Sequence, residues 1–294
     1  MAKTSKSPKR ILQVAHALGK QRLRTYSHKF SPKKFTLPQL FACLVLKEFM
    51  RLDYRKLSTL LKDAPSLAGV IELEKIPHFS TFQKAAARLL VSRRAQRLLD
   101  ETIQAATDHR VMRKNVALAA IDGTGFESRH ISAYFVRRRN RTCKEGYQTT
   151  TYTRFPSANL LCDCDSHLVL AMVTGRGPGP DDPYFQPTLK QAASRANIET
   201  LLADAGYDSE AAHVFAREQY GTRTIIPATR GRPTKKRLRG YWRNRMKTRF
   251  NKIKYGQRWQ VETTLLNNSF KTSVNQAETD LPGFQKELFD GCKD

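Results

Sequence analysis

The sequence contains no apolar run near the ~18 residues that a membrane-spanning helix requires. Its basic N-terminal stretch also lacks the continuous apolar core and the small-residue cleavage site of a secretory signal. The chain of 294 residues has five cysteines, and an odd number argues against a disulfide framework. These absences favour a cytoplasmic protein without a membrane partner.

The cysteines also lack the spacing of a zinc site. Cys162 and Cys164 flank one residue, so on a strand both side chains would face the same side. A zinc site would need further ligands, and no second pair of cysteines supplies them. We therefore interpret them as buried structural thiols, with zinc as the weaker alternative.

Acidic residues are absent from one long stretch. Between Gln219 and Val261 there is no Asp or Glu, against fourteen Lys or Arg, and the whole chain has a formal net charge of +26. Such an excess describes partners rather than fold, and it favours nucleic acid, because Lys and Arg release counterions from a phosphate backbone. We call residues 223–258 the basic segment and expect it to contact DNA phosphates.

The first part of the chain predicts helices. Residues 1–35 are polar and basic, which is typical of a flexible arm that could lie on DNA. Residues 36–112 have helical periodicity and predict two helices followed by one long helix. We expect a small all-helical, candidate DNA-binding domain here, with a plain packing unit as the alternative.

Residues 113–294 predict a second domain of the α/β class. An apolar strand precedes Asp122, two further strands turn at Asp165–Ser166, and helices then alternate with strands. Strands first and alternation afterwards are typical of a mixed sheet covered by helices.

Three acidic residues in this domain carry the candidate chemistry. Asp122 in AAIDGTGF and Asp204 in LLADAGYDSE each end an apolar run that predicts a buried strand, and Glu262 lies in helix-compatible sequence. Converging carboxylates would repel one another unless cations lay among them, and hard divalent ions prefer such oxygen ligands. We therefore expect a metal site that acts on phosphate.

Tyr255, Arg258 and Glu262 are three and four residues apart. On a helix they would share one face. A lone pair such as Arg258–Glu262 is usually a surface salt bridge of little energetic value. Its position beside the basic segment favours a functional interpretation.

In this order, the motifs resemble the DDE transposases of bacterial insertion sequences, in the branch with a Tyr-x2-Arg-x3-Glu-x6-Lys signature. The resemblance lies in IDGTGF, ADAGYDS, YGQRWQVE and the loop GPGPDDPYF, and it covers roughly residues 110–265. The final lysine of the signature is missing, since that position is Ser269, and Lys271 lies about 200° further around a helix.

The resemblance implies a ribonuclease H-like catalytic core. Asp122, Asp204 and Glu262 would be the catalytic residues and the ligands of two Mg²⁺ or Mn²⁺ ions, which would serve both end cleavage and joining of the 3′-hydroxyl to target DNA. Tyr255 and Arg258 would contact phosphates of the transposon end. A homodimer on paired ends, association with the nucleoid and no small-molecule substrate are implied as well.

The basic segment supplies further candidate DNA contacts, namely Arg230, Arg232, Lys235, Lys236, Arg237, Arg243 and Arg245. Other polar residues receive structural interpretations. Asp208 is expected to be a turn or cap residue, Trp259 a core aromatic, and Asp163, Asp165, Asp181 and Asp182 solvated turn residues.

Three alternatives remain open. The chain could be a catalytically impaired or truncated relative that only binds DNA, as the loss of a lysine at position 269 would allow. It could be a ribonuclease H-like nuclease without a specific terminal sequence. An RNA-binding structural protein would need only the high charge, and it would have no use for Asp122, Asp204 and Glu262.

Overall fold

The computed structural model describes residues 6–30, 32–89, 92–125, 155–177, 179–228 and 238–267. The chain divides into two compact units, Met1–Val111 and Met112–Asp294. Among the helices in these ranges, none is long and apolar enough to cross a membrane.

The first unit is helical throughout its described part. Its helices are α1 (Pro8–Arg22), α2 (Leu37–Phe49), α3 (Tyr54–Asp63), α4 (Pro65–Val70), α5 (Phe79–Leu89) and α6 (Ser92–Asp108). Thr36 begins α2 with a capping box, because its hydroxyl accepts from the Gln39 amide at 3.3 Å while the Gln39 side chain accepts from the Thr36 amide at 2.9 Å.

Helix α1 corrects the interpretation of residues 1–35 as a flexible arm. Leu12 and Ala15 lie on one face of α1 and are 0% and 4% exposed. They pack into one core with residues such as Leu46, Leu57 and Phe82. The many lysines and arginines of this stretch suggested a flexible arm, although its apolar residues are spaced as in a short amphipathic helix. Burial of the apolar face stabilises this helix.

The stretch interpreted as one long helix contains α5 and α6, and residues 90 and 91 between them lie outside the described ranges.

The second unit combines strands and helices. Its strands are β1 (Asn115–Val116), β2 (Ala119–Gly125), β3 (Phe155–Asp163), β4 (Val169–Gly177), β5 (Asn197–Ile198), β6 (Thr200–Leu202) and β7 (Arg223–Ile225). Its helices are α7 (Asp182–Ala193), α8 (Glu210–Tyr220), α9 (Tyr241–Thr248), α10 (Lys252–Tyr255) and α11 (Trp259–Asn267).

Five of these strands form one sheet in the order β4-β3-β2-β6-β7. Strands β2, β3 and β4 are antiparallel neighbours, whereas β2, β6 and β7 run parallel. The prediction of an α/β fold with a mixed sheet is therefore confirmed. Strands β1 and β5 form a separate parallel pair.

The turn between β3 and β4 depends on Asp163. Its carboxylate accepts hydrogen bonds from the amides of Asp165 and Ser166 at 3.2 and 3.1 Å and from the Ser166 hydroxyl at 2.5 Å. Asp163 is 5% exposed, which corrects its interpretation as a solvated residue. A carboxylate that accepts several local hydrogen bonds holds this turn from inside.

One apolar cluster fixes helix α11 against the sheet. It joins Ala120, Cys162, Leu202 and Ile225 of four neighbouring strands to Val261 of α11. Val261 is fully buried. Since Glu262 follows Val261 directly, this contact also determines where Glu262 lies.

His213 gives the second unit a pH-dependent stability. The ring is fully buried and its Nδ1 lies 2.5 Å from the Thr224 hydroxyl. Burial, and next the Arg217 charge, lower the pKa of His213 to about 4. Between the unfolded pKa of about 6.5 and this value, only the unfolded chain binds the proton.

We expect the unfolding free energy to fall by about 3 kcal/mol from His213 alone as the pH drops from about 6.5 to 4. Above a pH of about 6.5, the contribution of neutral His213 to the unfolding free energy is fully present. Urea titrations followed by tryptophan fluorescence measure it, since both tryptophans, Trp242 and Trp259, lie in the second unit. His213→Gln should flatten the pH dependence, and an unchanged slope would contradict the assignment.

Candidate active site

Asp122 lies in β2, and Asp204 lies two residues beyond the end of its parallel neighbour β6. Strands β2 and β6 pair Ala119 with Leu201 and Ala120 with Leu202. Asp122 and Asp204 each follow the second of these pairs by two residues. Because adjacent strands are about 4.8 Å apart, this register brings both carboxylates to the same edge of the parallel pairing.

Each aspartate is oriented by a following glycine. Asp122 Oδ1 accepts from the Gly123 amide at 3.0 Å, and Asp204 Oδ1 accepts from the Gly206 amide at 2.8 Å. Asp204 thereby caps the short 3₁₀ turn Ala205–Tyr207 that follows β6. Strand β2 itself continues past Asp122 to Gly125, because its antiparallel pairing with β3 extends that far.

Arg258 links Glu262 to Asp122. The Arg258 guanidinium donates to Glu262 Oε1 at 2.6 Å, and its other terminal nitrogen lies 3.6 Å from Asp122 Oδ2. The side chains of Arg258 and Asp122 are 22% and 18% exposed, whereas that of Glu262 is 48% exposed. Arg258 is therefore a cation placed between two of the three candidate metal ligands.

The charges at this edge are coupled. Burial raises the pKa of Asp122 to about 6. Arg258 lowers this pKa, the charge of Asp204 raises it, and a smaller increase comes from Glu262. The Asp122 carboxyl group thus resists ionisation mainly because it is buried, and the neighbouring acids add to this effect.

Tyr255 lies beside the same charges. Its ring packs edge-on against Phe250, with the ring centroids 4.9 Å apart, and burial raises the pKa of its hydroxyl. The charges of Arg258, Asp204 and Asp122 also act on that hydroxyl. The face shared by Tyr255, Arg258 and Glu262 is built from α10, the 3₁₀ turn Gly256–Arg258 and α11 in succession rather than from one continuous helix.

Asp181 is a residue that the sequence interpretation missed. It stands at the start of α7, yet its side chain makes no capping hydrogen bond there. A methyl group placed on Gly123 would lie 2.8 Å from Asp181 Oδ1, and one on Gly206 would lie 3.0 Å from Asp181 Oδ2. The Asp181 carboxylate thus lies against both glycines that orient the candidate metal ligands.

Two signals in the sequence point toward Asp181. It belongs to the loop GPGPDDPYF, and the two positions that it approaches are glycines. Neither signal shows that the loop folds back onto the acidic edge, because this contact is formed by residues far apart in sequence. The sequence correctly indicated that Asp181 precedes a helix in a turn-like loop. It did not indicate that Asp181 lies against Gly123 and Gly206.

Arg243 forms a salt bridge that the sequence did not indicate. Its guanidinium donates to both oxygens of Asp208, at 2.9 and 2.7 Å, and the Asp208 side chain is fully buried. Glu210 accepts from the amides of Trp242 and Arg243, both at 3.0 Å. Arg243 therefore anchors α9. Asp208 ends the 3₁₀ turn Ala205–Tyr207, as predicted for a turn or cap residue, and is also the salt-bridge partner of Arg243.

Other sequence predictions have varied outcomes. Arg245 is exposed and donates to the Tyr241 hydroxyl at 3.2 Å. Trp259 is 51% exposed, which corrects the expectation of a core aromatic. The predicted residues outside the described ranges are Arg230, Arg232, Lys235, Lys236, Arg237, Ser269 and Lys271.

The donors fit a hard divalent cation in chemical kind. Asp122, Asp204 and Glu262 offer carboxylate oxygens, the ligand atoms that such cations prefer. Among the described residues, no group of three or more His, Cys, Asp or Glu side chains is close enough to hold a metal ion. Arg258 instead contacts Asp122 and Glu262.

A match to a known protein family covers all the candidate site residues described above. Residues 117–266, just over half of the chain, match the family described as a transposase DDE domain. That span contains Asp122, Asp204, Tyr255, Arg258 and Glu262. No curated protein and no solved structure matches the chain.

Arg243→Gln should destabilise the second unit by about 3–5 kcal/mol, because it leaves the buried Asp208 carboxylate without its partner. Urea titrations followed by circular dichroism measure this loss. Arg245→Gln is the matched control and should change stability by no more than about 0.5 kcal/mol, since Arg245 is exposed. Equal stabilities of the two variants would show that Arg243 does not anchor α9.

Proposed function

Since the chain belongs to the DDE transposase family, we propose that it binds the ends of an insertion sequence, cleaves them and joins the 3′-hydroxyl to target DNA. The family match confirms the resemblance to DDE transposases. The branch with the Tyr-x2-Arg-x3-Glu-x6-Lys signature stays a prediction. In this proposal Asp122, Asp204 and Glu262 are the catalytic residues.

The observation that supports the proposal most is the shared register of Asp122 and Asp204. Both follow the pair Ala120–Leu202 by two residues on adjacent parallel strands. Glu262 is joined to Asp122 through the Arg258 guanidinium. The sheet order, three antiparallel strands followed by two parallel ones, supports a ribonuclease H-like core.

The candidate ligands would hold two Mg²⁺ or Mn²⁺ ions, the hard cations that carboxylates prefer. When bound, such ions activate a water or a 3′-hydroxyl and stabilise the leaving oxygen. The chain contributes the orientation of the carboxylates, since the amides of Gly123 and Gly206 hold Asp122 and Asp204 in place. End cleavage and joining are both in-line displacements at phosphorus, so one arrangement of ligands serves both steps.

In the absence of DNA, Arg258 neutralises part of the charge on Asp122 and Glu262. A DNA phosphate brings its own negative charge and competes for the guanidinium, which matches phosphate geometry well. We therefore assign Arg258 and Tyr255 to contacts with the phosphates of the transposon end. Moving Arg258 toward DNA would leave the carboxylates free to act as ligands.

DNA is the partner that the charge distribution favours. Exposed residues of the basic segment include Arg245, Lys247, Arg249, Lys252 and Lys254. In the first unit, residues 36–112 are a candidate DNA-binding domain. Helix α1 packs into the same core and therefore belongs to this candidate domain. A homodimer on paired ends and association with the nucleoid complete the proposal.

Asp122→Asn, Asp204→Asn and Glu262→Gln should each lower Mg²⁺-dependent cleavage by about a thousandfold or more. Such ions supply several kcal/mol of charge stabilisation, and each 1.36 kcal/mol is a factor of ten. The substrate is a DNA fragment that carries the sequences flanking the reading frame, and the products are separated on sequencing gels. Glu218→Gln, an exposed acid on α8, is the matched control and should cleave like the wild type.

Gel-shift assays with the same fragment separate the outcomes. The three variants should still bind DNA, because the substituted carboxylates lie outside the basic segment. A wild-type protein that binds but never cleaves would identify a catalytically impaired relative. Equal cleavage of DNA without the flanking sequences would indicate a ribonuclease H-like nuclease, and cleavage by Asp122→Asn would refute the catalytic assignment.

A further inference from the structure

Four arginines surround one cavity in the first unit. Arg22 and Arg24 come from the end of α1 and the residues after it, and Arg94 and Arg97 come from α6. The cavity has a volume of about 260 Å³, several times the ~30 Å³ that a water molecule occupies in the liquid. It is therefore large enough to admit a tetrahedral anion.

Two of these arginines are held in place by the protein. The Arg22 Nε donates to Glu101, and Arg94 donates to the Arg88 carbonyl oxygen at 2.6 Å. Each contact uses one donor and leaves other N–H groups of the planar guanidinium for a ligand. An arginine that is already oriented loses less side-chain entropy on binding.

The other two, Arg24 and Arg97, are exposed, and their side chains make no hydrogen bond or ion pair with any residue in the described ranges. Glu101 pairs with one of these four cations, Arg22. Converging like charges repel one another, and an anion placed among them removes that cost while gaining charge-assisted hydrogen bonds. The cavity has the charge and the donors of an anion site.

The rest of the lining suits a phosphodiester. Tyr26 and Ser27 add hydroxyl groups to the wall, and Leu37 and Leu98, each 7% exposed, close it with apolar surface. Phosphate oxygens accept hydrogen bonds from arginines and hydroxyls, and sugars pack against apolar side chains. A site for a metal cation would instead be lined by acidic side chains.

We propose that this arginine pocket binds a backbone phosphate of duplex DNA. The inference deepens the proposed function, because it rests on DNA as the partner and assigns one contact to the first unit. It adds a set of DNA contacts distinct from the basic segment. A free inorganic phosphate or nucleotide shares the chemistry and is separated by the experiment below.

The test compares two double variants of the full chain. Arg24→Gln/Arg97→Gln removes two cations from the pocket, and Lys62→Gln/Lys84→Gln removes two exposed cations from α3 and α5 of the same unit. Fluorescence anisotropy measures the affinity for a labelled duplex from low to physiological salt. Each phosphate contact contributes about 0.9 to the slope of log affinity against log salt.

We expect the pocket variant to lose up to about one unit of slope, the contribution of a single phosphate contact, and the lysine control to keep the wild-type slope. Arg24→Lys/Arg97→Lys, which retains both charges, should restore most of the slope. Equal slopes of the pocket variant and the lysine control would overturn the inference, as would calorimetric binding of inorganic phosphate that the pocket variant loses without any change in slope. A wild type that binds no DNA would instead refute the proposed function itself.

Asp181 supports a second inference that does not depend on the arginine pocket. Its carboxylate lies against Gly123 and Gly206, whose amides orient Asp122 and Asp204. The absence of a side chain at both glycines is what permits this approach, since a Cβ at either would lie 3.0 Å or less from an Asp181 oxygen. The charge of Asp181 also acts on the buried Tyr207 hydroxyl, as do the charges of Asp122 and Asp204.

From this placement we infer that Asp181 is a positioning residue of the metal site. Its side chain keeps the Asp122 and Asp204 segments at a fixed separation, and its negative charge adds to theirs. A cation at the acidic edge would be attracted by the added charge without direct contact with Asp181. This inference rests on the proposed metal ligands.

Calorimetric titration with Mn²⁺ in the absence of DNA tests the inference directly. Asp181→Asn should weaken Mn²⁺ binding by about tenfold, the lower range for residues that support metal ligands. Asp182→Asn, one residue further along, is the matched control and should bind like the wild type. Urea titrations should show both variants equally stable without metal, which separates positioning from folding.

Two outcomes separate the role of Asp181 from the metal site itself. Equal Mn²⁺ affinities of Asp181→Asn and Asp182→Asn would overturn the role of Asp181 alone. A wild type that binds no Mn²⁺ would refute the metal site, and the positioning role with it.

Discussion

Burial of carboxylates at one edge of the sheet, together with the repulsion among them, is the constraint on which the candidate active site depends. Asp122 and Asp204 share a register on adjacent parallel strands, and burial raises the pKa of Asp122 to about 6. The protein offsets this repulsion with Arg258, which reaches both Asp122 and Glu262. A fold that concentrates negative charge in this way requires positive charge at the same place, from its own side chain or from bound ions.

The rest of the second unit holds that edge in place. The cluster formed by Ala120, Cys162, Leu202, Ile225 and Val261 joins four strands to α11, so the helix that carries Glu262 cannot shift independently of the strands that carry the aspartates. Helix α9 is fixed separately, through the buried pair of Arg243 and Asp208. One arginine of the basic segment thus stabilises the fold, whereas neighbours such as Arg249 and Lys252 are exposed.

Much of the fold could be predicted because local signals agree with the tertiary structure. The apolar runs before Asp122 and Asp204 indicate buried strands, and the turn residues at Asp165–Ser166 indicate the hairpin of β3 and β4. Predictions failed where a contact joins distant residues. The composition of residues 1–35 hides that Leu12 and Ala15 are buried, and the charge of Arg243 hides its pairing with Asp208.

The sequence by itself determined which residue types are available for the chemistry: two aspartates after apolar strands, a glutamate one helical turn after an arginine, and a surplus of cations. Periodicity and spacing are local properties, so they can be read along the chain. Only the tertiary structure decided that Asp181 lies against Gly123 and Gly206, and that four arginines of the first unit surround one cavity. These neighbours are separated by many residues, and their proximity arises from strand register and helix packing, which no single segment encodes.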